Sequence, residues 1–338
     1  MPKRTTLADV AARAGLSPTA VSLILNDRPG SRLSADAVTR ARAAARELGY
    51  RPNQAARTLR MGKTRTVGFI SDEVTITRYA SAMIRGALDV AEELDHAVLM
   101  AEGHSSQAAF SRAFELMNDR QTDALVVASM TARQIPVPET PENLGLVTLN
   151  CTTVRPTISV LPAELEAGYA VTRALLDAGH RKIAVIGRSL DETFEPALSV
   201  TVPERLRGIK AAFEEASLEP VAVVSYKLWE PSNGYDGTRQ ALTKSPSLTA
   251  LLCLNDRLAF GAYQALQEVG RRIPDDISVA SFDDEELAAY LRPGLTTARI
   301  PYREMGREAM RLSLTNASKP TTHLVPMPLV VRRSIAEA

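Results

Sequence analysis

Cysteine is nearly absent: Cys151 and Cys253 stand far apart with no CxxC motif, and Cys253 lies inside the apolar run ALLCL. That spacing excludes a disulfide scaffold and predicts two reduced thiols in a cytoplasm. Histidine is scarce too. His96, His104, His180 and His323 have no metal-ligand spacing, so nothing supports metal chemistry or any other cofactor. The phosphate-cradling glycine patterns GxGxxG and GxxxxGK are missing, as is a GxSxG nucleophile elbow, which argues against a nucleotide enzyme or a hydrolase. No stretch approaches 18 consecutive apolar residues, and no apolar run follows the basic start MPKRTTLADV. The expectation is a chain that is neither secreted nor membrane-bound.

Charge is present in both signs but unevenly placed. Residues 1–65 hold 13 Lys and Arg against 4 Asp and Glu, and the remainder 27 against 35, so a head of net +9 and a body of net −8 add to the overall +1. A basic head on an acidic body is the footprint of phosphate contact. The chain of 338 residues, 45% hydrophobic, is long enough for two or three folding units.

The head begins with TTLADVAARAGLSPTAVSLILND, residues 5–27, which reads as two short helices at an angle. Leu7, Val10, Ala11 and Ala14 recur at helical spacing, Gly15 supplies the turn, and Val21, Ile24 and Leu25 give the second helix its buried stripe. Ser17 is placed as N-cap, Pro18 at the first helical position, and Leu16 where it can staple onto Val21. The outward face is then Thr19, Ala20, Ser22 and Leu23, small enough to enter a major groove. A third helix over 31–49 starts at Ser34, buries Val38, Ala41, Ala45 and Leu48, and turns Arg40, Arg42 and Arg46 outward as a solvated face. Residues 50–62 read as a connector in which Asn53 caps a helix to about Arg60, too short to be stable alone in water.

These motifs make the head resemble the lactose-repressor (LacI/GalR) family of bacterial transcription regulators, whose pattern TxxDVAxxAGVSxxTVSRVLN is close to TTLADVAARAGLSPTAVSLILN here. The similarity continues through LGYRPNQAARTLRMGKTRTVGFI and reaches PLVVRRS near the end. Ala20 and Leu23 depart from the family's usual Thr and Arg, which weakens any inference about operator bases. The resemblance implies that 1–49 is the DNA-binding domain and 50–64 the hinge, with Leu59 wedging into the minor groove at the centre of a palindrome beside Arg57 and Arg60. The DNA-reading set expected is Thr6, Ser17, Pro18, Thr19, Ala20, Ser22, Leu23, Asn26, Asn53, Arg57 and Leu59.

From Arg65 onward short apolar runs alternate with amphipathic segments. TVGFI, HAVLMA, ALVVAS, LGLVTL and TISVL form one set; KIAVIG, VAVVSY, ALLCLN and ISVASFDD form a second. That rhythm predicts an α/β body of parallel sheets covered by helices. By resemblance it is a two-lobed, periplasmic-binding-protein-like body over 65–338. Its crossings are expected near 158–163, 290–295 and 320–325, giving lobe one about 65–160 and 293–322 and lobe two about 161–292 and 323–338.

Ligands of open α/β sheets sit beyond the strands' carboxyl ends, so Ser71, Asp72, Asn150, Asn255, Asp256, Asp283 and Asp284 are candidates, with Asp256 and Asp284 alternatively serving as helix caps. Carboxylates and amides together suit hydroxyl-rich ligands. Asn255 and Asp283 match ligand-contacting positions of the family, as do Arg205 in ERLRG and Trp229, the only tryptophan, which would stack on a pyranose. Tyr79 is a candidate opposite wall.

The reading is a cytoplasmic, non-enzymatic transcription repressor that binds a palindromic operator on double-stranded DNA as a homodimer and is switched by a small ligand, most simply a sugar, in the interlobe cleft. The chain stops seven residues after Val331 without a heptad tail, so a dimer rather than a tetramer is expected. The alternatives are a non-sugar ligand or protein co-regulator on the same regulator, and, in a different class, a sugar-binding transport component.

Overall fold

The computed structural model describes residues 5–26, 33–50, 62–72, 78–103, 107–140, 144–315 and 319–338. It divides into two compact units, 1–64 and 65–338.

In the first unit α1 (Leu7–Ala14), α2 (Pro18–Leu25) and α3 (Ala35–Glu47) pack around one small core. Each start is chemically fixed. The Thr6 side chain accepts from the Asp9 backbone N–H while Asp9 reaches back to the Thr6 N–H, and Ser17 and Ser34 accept from the N–H groups of Ala20 and Ala37. Gly15 ends α1 in the left-handed region at φ 63°. Val10, Ala11, Ala14, Val21, Ile24, Ala37, Ala41, Ala44 and Ala45 are buried. The third helix is therefore rotated slightly from the expected face: Ala37 and Ala44 are buried, whereas Val38 and Leu48 only pack at the edge. Arg40 is not purely a solvated residue either, because it donates to the Ala14 carbonyl (3.0 Å) at the end of α1.

The second unit holds two six-stranded sheets. The first contains β1 (Thr66–Ser71), β2 (Ala97–Glu102), β3 (Ala124–Ile135), β4 (Gly145–Thr153), β5 (Ile158–Pro162) and β11 (Thr322–Val325), in the order β2-β1-β3-β4-β5-β11. The second contains β6 (Ile183–Gly187), β7 (Ala222–Ser225), β8 (Ala250–Cys253), β9 (Ser278–Asp283), β10 (Thr296–Arg299) and β12 (Leu329–Val330), in the order β7-β6-β8-β9-β10-β12. Every pairing is parallel except β10 with β12. The two windings are the same, and each reverses direction beside its first strand, between β1 and β3 and between β6 and β8. Those are the switch points where ligands bind in open α/β sheets.

Covering helices include α4 (Arg78–Glu93), α5 (Gln107–Asp119) and α11 (Tyr302–Leu314) in the first lobe, and α6 (Glu164–Asp177), α7 (Val202–Glu215), α8 (Pro231–Lys244), α9 (Asp256–Glu268) and the short α10 (Glu286–Tyr290) in the second. Met83, Ala87 and Val90 of α4 share a buried core with Met305, Ala309 and Met310 of α11. The strand runs are buried on both sides, as parallel sheets require: all residues of β5, β6 and β8 are buried.

The lobe boundaries differ from the expected ones at two crossings. β10 pairs with β9, so the chain leaves the second sheet after Arg299 rather than at 290–295. β11 pairs with β5, so the chain leaves the first sheet after Val325, at the end of the expected 320–325 crossing, and residues 323–325, expected in lobe two, belong to the first sheet. Both segments are short and carry no continuous apolar run, TTAR and THLV, and only their sheet partners define them as strands. The third strand also runs past its apolar stretch to Ile135, with a bulge between Ala128 and Arg133.

Candidate DNA-reading face and effector cleft

On the head, Ser17, Pro18 and Thr19 are exposed at the start of α2, Thr6 and Asn26 are exposed, and Ala20, Ser22 and Leu23 are half-buried. The Asn26 amide donates to the Ser22 carbonyl (2.6 Å), closing the helix. An N-terminus ringed by small side chains leaves room for base edges. Asn53, Arg57 and Leu59 lie outside the described residues.

In the first lobe the cleft residues brace the end of β3. The Asp72 carboxylate accepts from the Ser129 hydroxyl (2.6 Å), the Met130 N–H (2.9 Å) and Arg133 (3.3 Å). Asn150, buried and left-handed at φ 55°, donates to the carbonyls of Ser129 (2.9 Å) and Met130 (3.3 Å). Both residues thus hold the bulge after which β3 resumes its pairing with β4, Arg133 opposite Cys151. Ser71 is fully buried at the end of β1. Tyr79 falls in α4, and its side chain is outside the described residues.

The second lobe carries the charge. Arg205 is not a surface residue of α7: it is 3% exposed and forms a two-pronged pair with Glu164, both contacts at 2.7 Å. It also donates to the Leu254 carbonyl, approaches Asp283 at 3.4 Å and stacks on Phe282 at 4.5 Å. The pair is set by a helix crossing at Gly168 and Gly208. A Cβ on Gly168 would meet the Arg205 carbonyl at 2.2 Å, and one on Gly208 the Leu165 carbonyl at 1.9 Å. Burial disfavours the Arg205 charge, but the adjacent Glu164 carboxylate outweighs it and holds the guanidinium above its ordinary pKa.

Asp283 sits at φ 103°, a backbone conformation side chains rarely adopt and one that clusters at functional sites. Burial raises its pKa to about 6, against the lowering influence of Arg205. Asn255 caps α9 through the Leu258 N–H (2.8 Å) and donates to the Trp229 carbonyl (3.3 Å). Trp229 is half-buried, with its indole N–H on the Gly187 carbonyl (3.2 Å). Asp256 and Asp284 bond other elements of the lobe rather than simply capping the helices that follow them. Asp256 is fully buried and accepts from Thr297 (2.8 Å) and the Glu285 N–H (2.7 Å), and Asp284 accepts from Arg332 (2.7 Å). Burial, then the nearby Asp283 charge, drives the Asp256 pKa upward.

Sequence reasoning passed over Glu164, because one acid after a strand looks like an ordinary charge in a helix's first turn. It also passed over Arg188, at the end of β6, which bonds Glu192 (2.6 Å) and the Lys227 carbonyl (3.2 Å).

A helix-turn-helix head followed by two equally wound α/β lobes, with polar groups gathered at both switch points, defines a DNA-binding regulator built on a periplasmic-binding-protein-like body. Residues 6–53 match the family described as bacterial regulatory proteins, lacI family, and residues 172–335 the periplasmic binding protein-like domain. The ribose operon repressor of Haemophilus influenzae is 30% identical over 338 residues, 98% of each chain, and that of Escherichia coli is 30% identical over 342 residues, covering 98% of this chain and 99% of the relative. Among solved structures, the Lac repressor dimer bound to operator and the anti-inducer ONPF superimposes with a TM-score of 0.75 at 26% identity, over 99% of this chain and 100% of that one. The complex of the transcriptional regulator CelR with cellobiose gives 0.65 at 25% identity, over 98% and 100%. The chain belongs to the LacI family of bacterial transcription regulators and is a DNA-binding repressor. Among the described residues no helix is long and apolar enough to cross a membrane.

Proposed function

We propose that this repressor acts in the cytoplasm as a homodimer on a palindromic operator, by binding rather than catalysis, and that a neutral, hydroxyl-rich effector in the interlobe cleft sets its DNA affinity. The domains are 1–49 for reading DNA, 50–64 for the hinge and 65–338 for the effector and dimer contacts. Thr6, Ser17, Pro18, Thr19, Ala20, Ser22, Leu23 and Asn26 read the operator together with Asn53, Arg57 and Leu59 of the hinge. Asp283, Trp229, Asn255 and Arg205 face the effector across from Asp72, Asn150 and Tyr79.

One observation carries the choice of ligand. Glu164 already neutralises Arg205 with both oxygens, and Asp283 adds an acceptor beside the pair. That arrangement offers acceptors and donors to hydroxyls but no net positive charge to a carboxylate or phosphate. The relatives named for a ribose operon and the neighbour solved with cellobiose agree with a sugar. An effector couples to DNA only through its differential affinity for two lobe arrangements, about 1–3 kcal/mol per coupled site.

The test is a thermal-shift screen of neutral mono- and disaccharides against sugar acids and sugar phosphates, on wild type and Asp283→Ala. Stabilisation by a neutral sugar that disappears in Asp283→Ala is expected. Stabilisation by the anionic set alone removes the neutral reading.

A further inference from the structure

The loop joining β6 to α7, residues 188–201, is far longer than its counterparts in the same lobe, residues 226–230, 254–255 and 284–285. Long connections without secondary structure of their own are usually functional. This one leaves its lobe. The Val200 N–H donates to the Ala132 carbonyl at 2.8 Å, and the Gln134 N–H donates to the Pro196 carbonyl at 2.7 Å. Ala132 and Gln134 belong to the part of β3 that projects past the bulge, so these backbone bonds run from the first lobe to the second.

Both ends of the connection are anchored. At its root Arg188 bonds Glu192 (2.6 Å) and lies over the Phe194 ring (5.4 Å), and Asp191 pairs with Lys210 of α7 (2.6 Å). At its far end the Ser199 hydroxyl accepts from the N–H groups of Thr201 (3.3 Å) and Val202 (3.1 Å), and the Thr201 carbonyl accepts from Arg205 (3.1 Å). On the opposite side, Asp72 and Asn150 hold the bulge that places Ala132 and Gln134.

We propose that residues 188–201 form a clasp between the lobes, fastened to the β3 extension by backbone hydrogen bonds, and that the lobes part by releasing it. Because the clasp runs directly into the first turn of α7, its release moves the segment that carries Arg205. The clasp rests on the effector reading only for what the gap between the lobes contains, and its test uses no ligand.

Hydrogen–deuterium exchange on the full-length chain, without additives, reads the clasp directly. The Gln134 and Val200 amides are expected to be protected in wild type. Val200→Pro deletes one donor, and exchange at the Gln134 amide, which that substitution does not touch, is expected to quicken on the order of tenfold. Arg188→Gln, which loosens the root and removes no cross-lobe donor, shifts Gln134 in the same direction. Leu198→Ser, at a side chain 66% exposed, leaves Gln134 unchanged. The proposal is overturned if the wild-type amides exchange like open loop, or if Gln134 protection survives both Arg188→Gln and a Val200→Pro chain whose circular dichroism is native. A failed sugar screen with a protected Gln134 removes the effector reading and leaves the clasp standing.

Discussion

The two lobes share one winding but use their strand ends differently. In the first lobe Asp72 and Asn150 are turned inward, onto the backbone of Ser129 and Met130. In the second, Glu164, Arg205 and Asp283 form a charged cluster at the ends of three elements. The same topology therefore yields a braced wall on one side and a chemically selective one on the other. Fold alone does not separate them; the hydrogen-bond partners of each side chain do.

Three measurements strain that contrast, beginning with the most damaging, and a fourth probes the head. Glu164→Ala leaves the Arg205 guanidinium buried without its partner, so unfolding by urea should show a loss of about 3–5 kcal/mol. Replacing both residues by apolar ones of similar size should recover much of that loss, since the desolvation cost disappears with the charges. Equal damage from the single and the double replacement would show that the pair itself, rather than the stranded cation, stabilises the lobe.

Asp72→Ala withdraws the acceptor from the Met130 N–H, at a cost of about 1–3 kcal/mol for a donor left unsatisfied, while the Ser129 hydroxyl keeps the Thr131 carbonyl (2.8 Å). The expected pattern is a stability loss in the first lobe with sugar binding weakened far less than in Asp283→Ala. An equal loss of binding in the two variants, by calorimetry, would erase the distinction between brace and selector.

Asp283 gives the pH arm. Its folded pKa of about 6 lies above the unfolded carboxylate value near 3.8, so the native state holds the proton longer. Its contribution to stability is present at low pH and is lost as pH climbs through roughly 4 to 6. Asp283→Asn should flatten the stability profile in that window relative to wild type. A difference between the two that stays constant with pH would contradict the assignment. Asp256 is shifted in the same direction by its own burial, so only the comparison of variant with wild type isolates Asp283.

The mildest change concerns the head. Ser17→Ala removes the acceptor for the Ala20 N–H at the start of α2, worth about 1 kcal/mol. A lower melting temperature of the head, with the body's transition unmoved, is the expected calorimetric trace.

Much of this architecture could be read in advance because it is written locally. Thr6, Ser17 and Ser34 announce helix starts through spacings of three residues, and apolar runs such as IAVIG and ALLCL announce buried strands wherever they occur. What escaped depends on distant partners. THLV becomes a strand only because β5 lies beside it, β3 continues past its apolar run by pairing again with β4 beyond a bulge that Asp72 and Asn150 support, and Glu164 acquires a role only where a glycine crossing brings α7 against α6. Arg205 stands at a ligand-contacting position of the family by its motif ERLRG, and only the folded structure adds that its guanidinium is paired with Glu164 and bonded to the Leu254 carbonyl and Asp283.

The order of elements along the chain also has a bearing on biosynthesis. Five strands of the second sheet come from one uninterrupted stretch, Ile183 to Arg299, whereas the first sheet is not complete until Val325, and its helix α4, although packed on β1 and β3, lacks the neighbouring helix α11 until Met305, Ala309 and Met310 have been added. A nascent chain halted near residue 300 therefore holds a nearly finished second lobe beside an earlier-made one whose apolar surface is still uncovered where α11 will pack. The half translated first is the half that must wait, and during that interval its uncovered apolar surface is open to non-native contacts.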